Sequence, residues 1–154
     1  MTKVDHIHLA SALIPAVLAA GAIEMRHYRS GVTVEAKADQ SPVTIADREA
    51  EAVLIAAITA AAPAIPIIAE EAVSAGQMPA IGAEFFLVDP LDGTREFIEQ
   101  RGEFTVNIAL VRDGAPVFGI VYAPATEELY VTLGPSAAAM ARTAPRGTPI
   151  ALTD

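Results

Sequence analysis

Apolar residues recur along this chain in two rhythms, one helical and one of period two, and each predicts a different kind of element. From Leu9 to Ile23 the stretch LASALIPAVLAAGAI carries no charge, and Glu24 and Arg26 continue its helical spacing. It predicts an N-terminal helix bent at Pro15, whose ring removes a backbone donor. Residues 28–42 read as a short strand and a polar loop. In SPVTIADREAEAVLIAAITAAAP (41–63), Ala46, Ala50, Val53, Leu54, Ala57 and Ile58 form one helical stripe, with Ile45, Glu49 and Ala52 off it. Pro63 should end this second helix. IPIIAEE (65–71) reads as a short buried strand ending in two glutamates, and 72–83 as a loop. EFFLVDP (84–90) is the next strand, and Thr94 to Gln100 one or two helical turns.

From Phe104 the period changes to two. Phe104, Val106, Ile108 and Leu110 alternate with Thr105, Asn107 and Ala109. RDGAP then supplies an Asp-Gly turn and PVFGIVYAP runs back, which is a hairpin signal. EELYVTL (127–133) adds a third strand. After Gly134 the pattern fades into Ala, Pro and Thr, and no further packed element is expected. Helices followed by antiparallel strands predict an α+β layered fold, without internal repeats or a clear linker.

Composition narrows the function classes. A chain of 154 residues is one ordinary domain, and 53% apolar with 19% charged residues excludes a disordered chain. The net charge of −9 excludes a nucleic-acid polymer as partner, because no basic stripe exists to neutralise phosphates. Zero cysteines exclude a disulfide scaffold and a thiolate metal site, and fit a reducing cytosol. The 15 uncharged residues from Leu9 fall short of the roughly 20 that a membrane span needs. With Lys3 ahead and small residues at 19–22 the stretch resembles a signal peptide. Asp5, His6 and His8 dilute the positive region, and the reading favours a cytosolic helix.

Three acidic sites fall at element ends: Asp47 in the first turn of the second helix, Glu70 and Glu71 after one strand, and Asp89 and Asp92 in VDPLDGTREFI after another. Converging carboxylates are costly unless neutralised, and Mg²⁺ is a natural neutraliser with its preference for hard oxygen ligands. Without histidine or cysteine nearby, zinc does not suit. Pro90 should turn the chain and free the Leu91 carbonyl, Gly93 lets backbone approach a phosphate closely, and Thr94 adds a hydroxyl. The amides of Gly93 and Thr94 would open a short helix as an anion site. Each residue also has a plainer reading. Thr44 and Asp47 make a capping box, Glu70 and Glu71 a solvated strand end, and Asp92-Gly93 a turn. His6, His8, His27, Arg95 and Arg101 read as surface residues. It is the combination that points to metal-assisted phosphate chemistry.

SPVTIADREAE, IIAEE and DPLDGTREF together resemble, in order and spacing, the first three acidic motifs of the inositol monophosphatase and fructose-bisphosphatase superfamily. DGTREFI followed by GEFTVNIALVRDGAPVFGIVYAP is most similar to its 3′(2′),5′-bisphosphate nucleotidase branch, with inositol monophosphatase as the alternative. The resemblance implies the N-terminal αβ half of a layered αβαβα phosphatase fold with a largely antiparallel sheet. Residues 1–133 would be the metal- and phosphate-binding unit, and 134–154 the start of a connection to a second one. Glu70, Asp89 and the Leu91 carbonyl would hold one Mg²⁺, and Asp89 and Asp92 a second, with two or three ions in a complete site and inhibition by lithium. Asp47 and Thr94, with Glu70 close by, would orient and deprotonate a water for in-line attack without a phospho-enzyme. Glu70, Leu91, Asp92, Gly93 and Thr94 would touch substrate.

By the same resemblance the substrate is 3′-phosphoadenosine 5′-phosphate, cleaved to AMP and phosphate in sulfur assimilation. The setting is the cytoplasm, with peripheral attachment to the inner membrane left open. The family pattern continues into a W-D-x-A-[AG] motif whose aspartate completes the second metal site, and this sequence has no tryptophan. The expectation for these 154 residues is therefore weak or absent phosphatase activity, or a silent Mg²⁺- or phosphate-binding module. An exposed sheet edge or apolar face is expected too, with self-association or poor solubility following.

Overall fold

The computed structural model of the protein describes residues 4–31, 33–36 and 42–142. The polar stretch 37–41 and the chain after 142 lie outside the described residues. Helix α1 (His6–Ser30) is capped by Asp5, whose carboxylate accepts from the His8 amide at 2.9 Å, and runs through Pro15. Its length and composition would suffice to cross a membrane, but one side of it is buried in the protein by Leu9, Leu13, Val17, Ala20 and Glu24. Strands β1 (Val34–Ala36) and β2 (Pro42–Thr44) form a small antiparallel pair leading into α2 (Ile45–Ala61). Ala46, Ala50, Leu54 and Ile58 are fully buried on the expected stripe; Val53 and Ala57 are half-buried.

Strand β3 (Ile67–Ala69), helix α3 (Glu70–Ser74), strand β4 (Glu84–Asp92) and helix α4 (Thr94–Ile98) follow. The sheet is completed by β5 (Thr105–Arg112), β6 (Ala115–Ala123), β7 (Glu128–Gly134) and β8 (Ala137–Arg142). The six strands lie in the order β3-β4-β5-β6-β7-β8, with β3 parallel to β4 and every other pair antiparallel. Asp113 and Gly114 turn β5 into β6, both with positive φ (51° and 78°), as a type I′ hairpin requires.

Both long helices pack on one face. α1 lies against α2 and strands β5 to β7, and α2 lies against β4. Between them the core closes on Leu13, Val17, Leu54, Phe86, Ile108, Phe118 and Ile120. α1 approaches β6 closely because Gly21 has no side chain: a Cβ there would sit 2.4 Å from the Tyr122 ring. A second, smaller cluster of Ala46, Leu91, Phe97 and Phe104 packs against Met25 and Tyr28 near the end of α1. Its Phe97 and Phe104 rings meet edge to face at 4.9 Å.

Four expectations are corrected. The pattern after Gly134 does not fade into unpacked chain: β8 pairs with β7 and buries Ala139 and Ala141. Glu70 and Glu71 open α3, which also takes Ala72 to Ser74 from the expected loop, because the buried Glu51 carboxylate accepts the Glu71 amide at 2.9 Å. IPIIAEE is an edge strand with Ile67 and Ile68 only half-buried, since β3 pairs on one side alone. His6 is buried rather than on the surface, and its ring nitrogen meets the Val117 carbonyl at 2.9 Å.

Candidate active site

Side chains alternate faces along a strand, so residues three apart in a regular strand point to opposite sides. Asp89 and Asp92 escape this through a bulge. Asp89 pairs with Asn107 and Asp92 with Thr105, so three steps on β4 match two on β5. Pro90 and Leu91 are both buried across the extra residue, and Asp92 returns to the side of Asp89. The stretch expected to turn out of its strand at Pro90 therefore stays in it to Asp92. Proline suits the bulge, having no donor to leave unpaired.

Gly93 follows in the left-handed region (φ 90°, ψ 38°), and a Cβ there would lie 2.6 Å from the Glu103 carbonyl. No side chain caps the short α4 that begins at Thr94. The Thr94 hydroxyl lies 3.1 Å from the Leu91 carbonyl and 3.5 Å from Asp47 Oδ1, so its one proton chooses between two acceptors. Asp47 is fully buried, and its Oδ2 accepts the Thr44 amide at 2.7 Å and the Thr44 hydroxyl at 2.5 Å. The capping box thus exists, and it occupies one carboxylate oxygen while the other faces Thr94. The capping reading of Asp47 is met, and its second oxygen is left toward Thr94.

Glu70 is exposed at the start of α3, yet its carboxyl meets that of Asp89. Asp89 is half-buried, and its Oδ1 is enclosed without a hydrogen-bond partner among the described residues. Its pKa is pushed up to about 7, first by burial, then by the Glu70 carboxyl bonded to it, and by the charges of Glu70 and Asp92; the Leu91 backbone opposes. Asp92 is exposed, with Asn107 Nδ2 3.4 Å from its Oδ2. Arg95 and Arg101 are solvated as expected, both bonded to Glu99.

The donors gathered here are carboxylate and carbonyl oxygens, which suits a hard divalent cation. Glu70 and Asp89 in contact, with an orphaned Asp89 oxygen, are the kind of charge that such an ion neutralises. Among the described residues no three histidine, aspartate or glutamate side chains close around a single point. The assembled part of the site is therefore the Glu70–Asp89 pair beside the Asp47–Thr94–Leu91 group. It opens onto a broad trough of about 1240 Å³ over the face of the sheet that the described residues leave uncovered, from Glu70 and Asp89 to Val121 and Thr132.

Two acidic residues escape the motif reading. Glu51 shares the buried face of α2 and holds the Glu71 amide. Glu24, on α1, is 0% exposed, and neither carboxylate oxygen has a hydrogen-bond partner among the described residues. Burial pushes its pKa well above the usual carboxylate value, and the charges of Asp47 and Asp89 add to the rise. A signal did exist in the sequence: Glu24 stands in helical register with Leu13, Val17 and Ala20, all of them buried.

The profile of the inositol monophosphatase family matches residues 5–142. The 3′(2′),5′-bisphosphate nucleotidase CysQ of Salmonella typhimurium is 48% identical over 94 residues, covering 61% of this chain and 38% of the relative. Among solved structures, the SuhB extragenic suppressor protein of Bartonella henselae superposes with a TM-score of 0.72 at 31% identity, covering 86% of this chain and 50% of its own. CysQ from Bacteroides thetaiotaomicron, described as a bacterial member of the same family, gives a TM-score of 0.67 at 36% identity, with 90% and 52% covered. The chain thus spans about half the length of these proteins or less.

Proposed function

The chain belongs to the inositol monophosphatase family, and from that premise we propose that it supplies the N-terminal part of a Mg²⁺-dependent 3′(2′),5′-bisphosphate nucleotidase active site. One observation carries the proposal. The β4 bulge turns Asp89 and Asp92 to one side, with the Glu70 carboxyl against Asp89 and the Asp47–Thr94–Leu91 group behind. The substrate we assign is 3′-phosphoadenosine 5′-phosphate, a bisphosphate nucleotide, and the likeness to relatives named 3′(2′),5′-bisphosphate nucleotidase supports that class. The same reading places its work in the cytoplasm and in sulfur assimilation.

Glu70, Asp89, Asp92 and the Leu91 carbonyl would hold the cation. When bound, Mg²⁺ supplies charge neutralisation at the phosphate and acidifies water. The chain's own residues do the rest. Asp47, fixed at Oδ2 by the Thr44 cap, presents Oδ1 as a proton acceptor that cannot swing away. With its proton turned from Leu91 to Asp47, Thr94 offers oxygen lone pairs to a water's proton, which aligns that water for attack on phosphorus. Gly93 makes the turn into α4 possible, because its left-handed backbone and the nearby Glu103 carbonyl leave no room for a Cβ.

The test is calorimetric titration of the chain with 3′-phosphoadenosine 5′-phosphate and with inositol 1-phosphate, each with and without Mg²⁺, alongside an assay of released phosphate. We expect Mg²⁺-dependent binding of the nucleotide, lost in Asp89→Asn, with slow or no turnover by these 154 residues. Preference for inositol 1-phosphate would move the chain to the other branch of the family. If neither ester bound in Mg²⁺, the proposal would be wrong.

A further inference from the structure

Burying a carboxyl group without a partner costs several kcal/mol when it is charged, and still costs free energy when it is neutral. Glu24 is such a group. It is 0% exposed, both its oxygens lack a hydrogen-bond partner among the described residues, and the charges that act on it from Asp47 and Asp89 have its own sign. A position chosen only for packing α1 would be apolar, as Leu13, Val17 and Ala20 in the same register are. Met25 and Tyr28, its neighbours on the helix, pack on the cluster that pins Leu91. The charges felt by Glu24 come from Asp47 and Asp89, residues of two other elements that belong to the candidate active site.

We propose that Glu24 is a positioning residue of the cation site, adding negative charge from α1 behind Asp47 and Asp89 and so raising the site's affinity for a divalent cation. This rests on the cation reading of the site given above. Glu24, buried on α1, would not touch substrate. Without metal, burial and the like charges of Asp47 and Asp89 favour its neutral form; a cation at the site would reverse that field and favour the carboxylate, whose charge then adds to the ion's binding. The Glu24 charge would then add to those of Glu70, Asp89 and Asp92, which would hold the ion. A charge acting through partly buried surroundings in this way is worth about tenfold in metal affinity.

The experiment compares the parent chain, Glu24→Gln and Glu24→Leu, each titrated calorimetrically with magnesium chloride and melted with and without it. The expected result is Mg²⁺ binding about tenfold weaker in both variants, with a smaller Mg²⁺-induced rise in Tm. Glu24→Leu should also melt higher than the parent when metal-free, since it removes the unpartnered carboxyl. Glu24→Gln keeps the shape and decides the matter if the leucine variant folds poorly. Mg²⁺ affinity unchanged in Glu24→Gln would overturn the role of Glu24 alone. A lower metal-free Tm in Glu24→Leu with affinity kept would make Glu24 a structural group and also overturn it. No Mg²⁺ binding by the parent would bring down the cation reading itself, and this proposal with it.

Discussion

Asp89 binds its proton more tightly in the folded chain than in the unfolded one, because burial and the Glu70 carboxyl lift its pKa from 3.8 to about 7. An acid shifted this way contributes stability that is complete below the unfolded pKa and is lost as pH rises through the folded one. The metal-free chain should therefore lose stability between about pH 4 and pH 7, and Glu24 acts in the same direction. Asp89→Asn should flatten that decline, as measured by Tm across this window in a chelator. A parent and variant with the same slope would contradict the shift. The Asp47 cap and the Gly93 turn into α4 were legible as sequence, because the capping box and DPLDGT fix their local geometry; the place of Glu70 in α3 was not, because that helix forms against Glu51. Glu24 and His6 were not, since burial of a lone polar residue depends on what packs over it. Only helical register hinted at Glu24.

At the level of elements, the long helices and the β5–β6 hairpin follow directly from periodicity and the Asp113-Gly114 turn. α3 and β8 do not. The five residues of α3 are too short to form alone, and the Glu51 carboxylate holding the Glu71 amide is a contact across 20 positions. In β8, alanines fill the buried positions, so the alternation has little contrast, and it is the free edge of β7 that makes a strand of them. The β4 bulge was hidden for a similar reason: it is defined by register against β5. The docking of α1 offers a quantitative check. Gly21→Ala gains about 1 kcal/mol of helix propensity, but its Cβ would lie 2.4 Å from the buried Tyr122 ring and 3.1 Å from Pro124. Overpacking of this kind costs about 1–3 kcal/mol, so the clash should win by about 1 kcal/mol in urea denaturation. A stabilised variant would mean that α1 can lift from β6 without cost.

For the molecule as a whole, the two sheet faces have unlike surroundings. One is covered by α1 and α2. On the other, Asp89, Asn107, Val121, Tyr130 and Met140 are successive cross-strand partners and form a single row. Leu87, Val121, Tyr130 and Met140 on that face are between 37% and 45% exposed, more than large apolar residues of a closed sheet keep. Among the described residues, the candidate site thus sits at one end of an open apolar surface. A surface of this kind lowers its free energy by being covered, and a second copy of the chain is always available to cover it. The chain should therefore bind a hydrophobic dye such as ANS and show a mass above that of one chain by light scattering, increasingly so with concentration. Tyr130→Lys combined with Met140→Glu places opposite charges on one cross-strand pair, far from Asp89, and leaves the helix-side core untouched. That variant should scatter as a single chain and bind less dye, with Mg²⁺ affinity unchanged. A parent chain that stays monomeric and dark to the dye would mean that these side chains tolerate water, and that the open face is no docking surface.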